Sequence, residues 1–121
     1  MEWKIDGSSP VYVQIMEHFR SAVLSGAYPP GSRIPSVREL AALARVNPNT
    51  MQRAMAELEL SGLLISIGTQ GRFVTEDEAV INGLRQQAIR SAVKACAVRF
   101  RELGLSMQEA AQLLAQEEEV L

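Results

Sequence analysis

Apolar positions change their spacing twice between residues 30 and 74. Two segments place apolar side chains every three or four residues, first at Val37, Leu40, Ala41 and Ala44 and then at Met51, Ala54, Met55 and Leu58. This period is typical of helices that bury one face, so two short helices are predicted. Residues 63–67 and 72–75 are rich in apolar and β-branched side chains. The glycine-bearing stretch 68–71 between them predicts a β-hairpin.

Polar residues mark where the two helices begin. Ser36 is followed three residues later by Glu39. This pair is a capping box, because the hydroxyl and the carboxylate can bond free amides at the helix start. Asn47 and Pro48 predict the start of the second helix, since Asn is a preferred N-cap and Pro suits the first helical position. Gly62 predicts where that helix ends.

The link between the two predicted helices is short, only residues 45–47. Such a spacing is typical of a helix-turn-helix, in which the N-terminal residues of the second helix enter the major groove. Asn49, Thr50, Gln52 and Arg53 stand at that position and supply amide, hydroxyl and guanidinium groups that bond bases and phosphates. A capped apolar stripe occurs in any helical protein. The DNA-binding hypothesis therefore depends on the order of elements, the short turn and this polar face together.

The N-terminal flank predicts a scaffold helix. Ser9 and Pro10 are expected to cap it and Gly26 to end it. Its core-facing positions recur at helical spacing: Tyr12, Ile15, Phe19, Ala22 and Val23. Trp3 and Ile5 are compatible with either a short strand or a lid. His18 is expected at the surface or satisfying a helix cap.

Residues 76–121 predict a helical hairpin. Thr75 with Glu78, and Ser106 with Glu109, are capping boxes for helices that reach about Leu103 and Glu117, and Gly104 separates them. Its apolar side chains cover more surface than one partner helix can bury: Ile81, Leu84, Ala88, Ile89, Ala92, Val93, Cys96 and Phe100. So short a hairpin seldom folds alone. We therefore expect it to dimerise with a second copy, the alternative being that it packs only on its own winged domain.

The motifs resemble a known family across residues 9–75. Pro10-Val11-Tyr12, Pro35-Ser36-Val37-Arg38-Glu39-Leu40-Ala41 and Gly71-Arg72-Phe73-Val74 stand at the spacing of the GntR family of bacterial transcription factors, and of its YtrA-like branch. The resemblance implies a mainly α fold with a small β-wing. A winged helix-turn-helix domain (9–77) would be followed by a two-helix dimerisation tail (78–121). It also implies a homodimeric repressor, in this branch often of an ABC-transporter operon. Two-fold pairing would place the second helices of the two copies in successive major grooves, which implies a pseudo-palindromic operator.

The resemblance, the caps and the charge distribution together define the expected DNA-binding residues. They are Arg33, Ser36, Arg38, Asn47, Asn49, Thr50, Gln52, Arg53, Thr69, Gln70, Gly71 and Arg72. The wing departs from the usual Arg-Gly-x-Gly-Thr-Phe-Val pattern. No arginine precedes Gly68, and Arg72 follows the second glycine instead. Whether Arg72 replaces the missing contact is left open.

Charge is distributed unevenly along the 121 residues, whose formal net charge is −2. Residues 1–75 carry seven basic and six acidic groups, whereas residues 76–121 carry five and eight. Four arginines against Glu39 alone fall within residues 32–56. The expected DNA face is thus the basic one, suited to phosphates, but its charge density is modest. Specific binding is therefore expected to need two copies.

Several classes of function find no support in the sequence. One histidine and one cysteine cannot form a metal site. No nucleophile with a base nearby, no paired carboxylates in a plausible pocket pattern and no phosphate-binding glycine loop suggest an enzyme or a cofactor. The lone Cys96 suits a reducing cytoplasm, and we expect it to pack in an apolar face rather than sense redox state. No segment approaches the roughly 20 apolar residues of a membrane span. A small-molecule effector in the dimer seam, or a protein-interaction adaptor without DNA binding, remain alternatives.

Overall fold

The computed structural model describes residues 3–117. Within this range the elements are α1 (Val11–Leu24), α2 (Val37–Ala44), α3 (Pro48–Leu60), β1 (Leu64–Ile67), β2 (Gly71–Val74), α4 (Glu78–Glu102) and α5 (Met107–Gln116). The chain divides into two compact units, the first extending to Leu84 and the second beginning at Arg85. The fold is mainly helical with a two-stranded antiparallel wing, as the sequence predicts.

The first unit is built around the packing of α1 against α3. Each helix turns one apolar stripe inward, as its spacing predicts. The stripes consist of Ile15, Phe19, Ala22 and Val23 from α1 and of Met51, Ala54, Met55 and Leu58 from α3. Leu40 and Ala41 of α2 and Leu64 and Val74 of the wing complete this core. The core therefore holds α2, α3 and the wing as one scaffold.

The start of α1 differs from its prediction. Pro10 is the N-cap and makes no side-chain cap bond, so the expected Ser9 cap is wrong. Gln14 ties down the preceding turn instead: its Nε2 donates to the carbonyls of Asp6 (2.8 Å) and Ser9 (2.7 Å), and its Oε1 accepts from Asp6 N. A side chain within the helix thus orders the backbone ahead of it.

The caps of α2 and α3 lie at their predicted residues. Ser36 Oγ accepts from the amide of Glu39, but the Glu39 carboxylate bonds the Ser36 hydroxyl rather than the cap amide, so only half of that box forms. Asn47 Oδ1 accepts from the Asn49 amide at 2.8 Å, with Pro48 at the first position. Between the helices Arg45 takes the left-handed conformation (φ 58°). This turn fixes where the amino end of α3 emerges.

The wing is a hairpin whose base is fastened to the segment before α2. Leu64 pairs with Val74, and Ile67 pairs with Gly71. The turn therefore spans only residues 68–70, because Gly71 already belongs to β2. Ile34 N donates to Arg72 O (3.0 Å), and Val74 N donates to Ser32 O (2.9 Å). The wing and the entry to α2 are thus held in register.

The long helix α4 starts later than its predicted box. Asp77 Oδ1 caps it by accepting from Ala79 N at 2.9 Å. Thr75 is buried, and its hydroxyl accepts from Asp77 N, so a box between Thr75 and Glu78 is wrong. The box of α5 forms with both of its bonds, between Ser106 and Glu109.

An irregular N-terminal arm lies against the core. The Trp3 ring stacks on His18 with centroids 3.7 Å apart and meets the edge of Phe19 at 5.8 Å. Trp3 and Ile5 lie in backbone without regular structure and pack on the core, which fits a lid rather than a strand. His18 is half-buried under Trp3, so its expected place at the surface or at a cap is wrong.

Acid is expected to destabilise the first unit through His18. Burial lowers the pKa of its imidazole below the ordinary value. The unfolded chain then binds a proton that the folded chain resists, so the stabilisation present above the unfolded pKa is lost as pH falls through the lower folded pKa. Chemical unfolding between pH 8 and 5 should show this loss. His18→Gln should flatten the profile, and an equal slope in both proteins would contradict the assignment.

Candidate nucleic-acid interface

The amino-terminal half of α3, hereafter the recognition helix, presents polar side chains opposite the buried methionines. Asn49, Gln52 and Arg53 are exposed, and Thr50 is half-buried. Asn47 lies at the same end, where its side-chain oxygen is occupied as the N-cap. Because buried Met51 and Met55 fix the rotation of the helix, these polar groups share the outward face predicted from the sequence.

Arg53 is held from the side by the scaffold helix α1. Its guanidinium carbon lies 3.8 Å from the centroid of the Tyr12 ring. A cation over an aromatic face is attracted by the ring quadrupole. Tyr12, predicted as a core position, is half-buried and so presents its ring to the arginine. This contact orders a long side chain that would otherwise sample many rotamers.

The wing arginine is folded back onto α3. Arg72 Nε donates to the Glu59 carboxylate, and Arg72 Nη1 and Nη2 lie 3.4 Å from Gln52 Oε1. Ser66 of β1 also donates to Glu59. Hydrogen bonds from Ser66 and Arg72 lower the pKa of the Glu59 carboxyl group despite partial burial. An ionised carboxylate therefore connects both wing strands with α3.

Sequence reasoning missed Glu59. The residue stands 13 positions before Arg72, and only the register of the hairpin shows that the two side chains meet. The one available signal was the arginine displaced within the wing motif. In the structure the displaced arginine, Arg72, bonds Glu59 and lies beside Gln52.

A second arginine lies over the wing. An ideal Cβ built on Gly71 would stand 3.0 Å from Arg33 Nε, and Gly71 has φ +114°. Arg33 itself is exposed, so its charge is presented beside β2. Thr69 and Gln70 are exposed at the tip of the wing.

The remaining predicted contacts lie on α2. Arg38 is exposed, and within residues 3–117 no carboxylate lies within ion-pairing distance of it. Ser36 is exposed, but its hydroxyl is engaged with Glu39. The structure thus brings Gln52 and Arg72 together and places Arg33 over Gly71. Arg38 presents a guanidinium that no described carboxylate neutralises.

The second unit carries an open apolar groove of about 300 Å³ between α4 and α5. Four predicted dimerisation residues line it: Ala92, Val93, Cys96 and Phe100. The facing wall comes from α5, including Met107, Ala110 and Leu114. Val93 is 63% exposed and Leu114 56%. The groove is therefore apolar surface that the second unit does not itself cover.

The other predicted dimerisation residues fall into two groups. Ala88 and Ile89 are exposed on α4. Ile81 and Leu84 are partly buried against the core of the first unit. Part of their apolar surface is therefore already covered within the chain and does not need a second copy. Cys96 is a free, exposed thiol.

Two further observations limit the chemistry of the described residues. Among residues 3–117 no group of three or more His, Cys, Asp or Glu side chains is arranged to hold a metal ion. No helix in the same range is long and apolar enough to cross a membrane.

Comparison with known proteins identifies relatives of the first unit and of the whole chain. The sequence profile described as "Bacterial regulatory proteins, gntR family" matches residues 11–74. The uncharacterised HTH-type transcriptional regulator YhcF of Bacillus subtilis is 32% identical over 109 residues, 90% of this chain and 90% of YhcF. The HTH-type transcriptional repressor YtrA of the same organism is 39% identical over 70 residues, 58% of this chain and 54% of YtrA.

Solved structures extend the likeness to the fold. A GntR family transcriptional regulator from Listeria monocytogenes superposes with a TM-score of 0.84 at 30% identity, covering 93% of this chain and 98% of the other. The AraR DNA-binding domain, solved in complex with operator ORX1, gives a TM-score of 0.57 at 30% identity over 62% of this chain and 96% of its own. The likeness therefore includes a protein whose structure was determined on DNA.

Proposed function

Because this chain belongs to the GntR family of bacterial regulatory proteins, and to its YtrA-like branch, we propose that it is a homodimeric repressor of a pseudo-palindromic operator. Proteins of this family are DNA-binding transcriptional regulators rather than enzymes, and so is this chain. The proposal concerns the finer points: which residues meet DNA, how two copies pair, and the sign of regulation.

The observation that carries the proposal is the capped, exposed amino end of the recognition helix. Asn49, Thr50 and Gln52 supply hydrogen-bonding groups there, and the turn before Asn47 leaves that end accessible. In helix-turn-helix proteins these positions contact base edges while flanking residues hold phosphates. Arg33 and Arg38 supply the flanking positive charge. The AraR domain, on its operator, offers a precedent within the same fold.

The groove of the second unit supports pairing through the tail. Ala92, Val93, Cys96 and Phe100 follow the spacing of a single helical face, and no residue of α4 is fully buried. A second copy of the hairpin is the occupant that we propose, because the same apolar face on both copies is self-complementary under two-fold symmetry. Two-fold pairing supports a pseudo-palindromic operator, and the similarity to the repressor YtrA supports repression.

Removing the Arg38 guanidinium is expected to weaken operator binding without unfolding the protein. If Arg38 contacts a base, Arg38→Ala should cost about 1–3 kcal/mol of specific binding free energy. Fluorescence anisotropy on an enriched operator measures this loss. Arg20→Ala is the matched control, because Arg20 lies on α1 and is already paired with Glu17 at 2.9 Å. Equal affinities of the Arg38 variant and the wild type would contradict the assignment.

The experiment that tests the function as a whole is genomic footprinting of the native protein. We expect a small number of enriched sites with two inverted half-sites, and affinity that falls steeply with added salt because phosphate contacts release counterions. Absence of enriched DNA, together with a stable protein partner, would instead support the adaptor alternative.

A further inference from the structure

Gln52 lies where the recognition helix meets the wing. Its Oε1 is 3.4 Å from both terminal nitrogens of Arg72. A guanidinium has five N–H donors and no acceptor. The carboxamide of Gln52 must therefore turn its oxygen, not its nitrogen, towards Arg72. This assignment follows from the chemistry of the partner.

With its Oε1 occupied by Arg72, Gln52 can offer DNA only the N–H donors of its Nε2. The side chain is exposed, and within residues 3–117 no hydrogen bond occupies its Nε2. A free glutamine recognises adenine with both ends, accepting from N6 and donating to N7. Guanine presents two acceptors, N7 and O6, on the same edge. A glutamine whose oxygen is held elsewhere matches guanine better than adenine.

Glu59 holds Arg72 in this position. Its carboxylate accepts from Arg72 Nε and from Ser66 Oγ, so the guanidinium is anchored on one side while its terminal nitrogens face Gln52. The side chains of Arg72 and Glu59 are 21% and 30% exposed. Partial shielding of this kind strengthens a charge-assisted bond relative to open solvent. The wing is thus held on α3 by an ion pair, and this ion pair places the Arg72 guanidinium beside Gln52 of the recognition helix.

We propose that Arg72, anchored by Glu59, fixes Gln52 as a hydrogen-bond donor and so makes each half-site prefer guanine over adenine where Gln52 meets the DNA. This inference rests on the proposed operator binding. Arg72 is a positioning residue here, because it determines the base preference through Gln52 rather than by touching that base.

The test is selection of binding sites from a randomised duplex library by the full chain, followed by sequencing. Gln52→Ala should flatten the preference at one position of each half-site and so identify it. At that position the wild type should enrich guanine over adenine by roughly tenfold. Arg72→Met should shift the same position towards adenine, because the freed carboxamide can then use both of its ends.

Arg33→Met is the matched control. It removes the same charge from the same region, but the Arg33 guanidinium lies over Gly71. The hydrogen bonds to Gln52 within residues 3–117 come from Arg72. Arg33→Met should lower the overall affinity for DNA and leave the preference for guanine unchanged. In a Gln52→Ala background, Arg72→Met should cause no further shift of preference.

The outcomes separate this inference from the function beneath it. The inference is overturned if Arg72→Met still prefers guanine at that position, or if Gln52→Ala alters the base preference at no position. Either result leaves operator binding itself intact. A wild-type protein that enriches no sequence would refute the proposed function, and the inference with it.

Discussion

Replacing Val93 with aspartate is expected to convert the protein to a monomer and to weaken operator binding by about a hundredfold or more. Val93 lines the apolar groove and is 63% exposed. In the proposed dimer it becomes buried, and an unpaired buried carboxylate is costly. Once pairing is lost, each monomer binds a half-site on its own. The gain in operator affinity from linking two DNA-binding domains, roughly 10²–10⁴-fold, is then lost. Analytical ultracentrifugation and operator titration measure the two effects.

Val98→Asp is the control for this substitution. Val98 is the same residue type on the same helix and is 44% exposed. It lies about 140° around the helix axis from Val93, at roughly 100° per residue. It adds the same negative charge but does not line the groove, so the protein should remain dimeric. If the Val93 variant sediments as a dimer, the groove is not part of the dimer interface.

Replacing Phe19 with alanine is expected to destabilise the first unit by about 3–5 kcal/mol. The Phe19 side chain is fully buried, and its ring contacts Trp3, His18 and Tyr28. Truncation removes a large apolar surface from the core and leaves a cavity among the three rings. Since the free energy of unfolding of such a domain is only about 5–15 kcal/mol, the substitution would remove a large part of it.

Urea unfolding monitored by circular dichroism measures this loss. Leu60→Ala is the matched control, because Leu60 is also a large apolar side chain but is 83% exposed. Its effect should stay within about 0.5 kcal/mol. A Phe19 variant no less stable than the Leu60 variant would show that the aromatic cluster contributes little to folding.

Features set by neighbouring residues in the sequence were predictable. The caps at Ser36, Asn47 and Ser106 each depend on residues within one turn. The core faces of α1 and α3 follow from helical period alone. These parts of the fold were accordingly predicted to within a residue or two, and the apolar and β-branched residues on either side of the glycine-bearing turn predicted the hairpin of the wing.

Features set by distant contacts were not predictable. Thr75 suits a cap by its residue type, but its amide bonds the carbonyl of Leu63, which fixes it beside the wing and leaves the cap to Asp77. The meeting of Glu59 with Arg72 depends on hairpin register. Ile81 and Leu84 carry the same apolar signal as the groove residues, and only tertiary packing assigns them to the first unit.

The close approach of Arg33 to Gly71 bears on how freely the wing can change during evolution. Two obstacles oppose other residues at this position: the positive φ of +114°, which side chains rarely adopt, and a nitrogen of the Arg33 side chain 3.0 Å from where a Cβ would stand. Loss of Arg33 would remove only the second obstacle. A mutation at position 33 therefore does not open position 71 to substitution. The glycine at position 71 is therefore required by the backbone of the hairpin itself, whichever side chain stands at position 33.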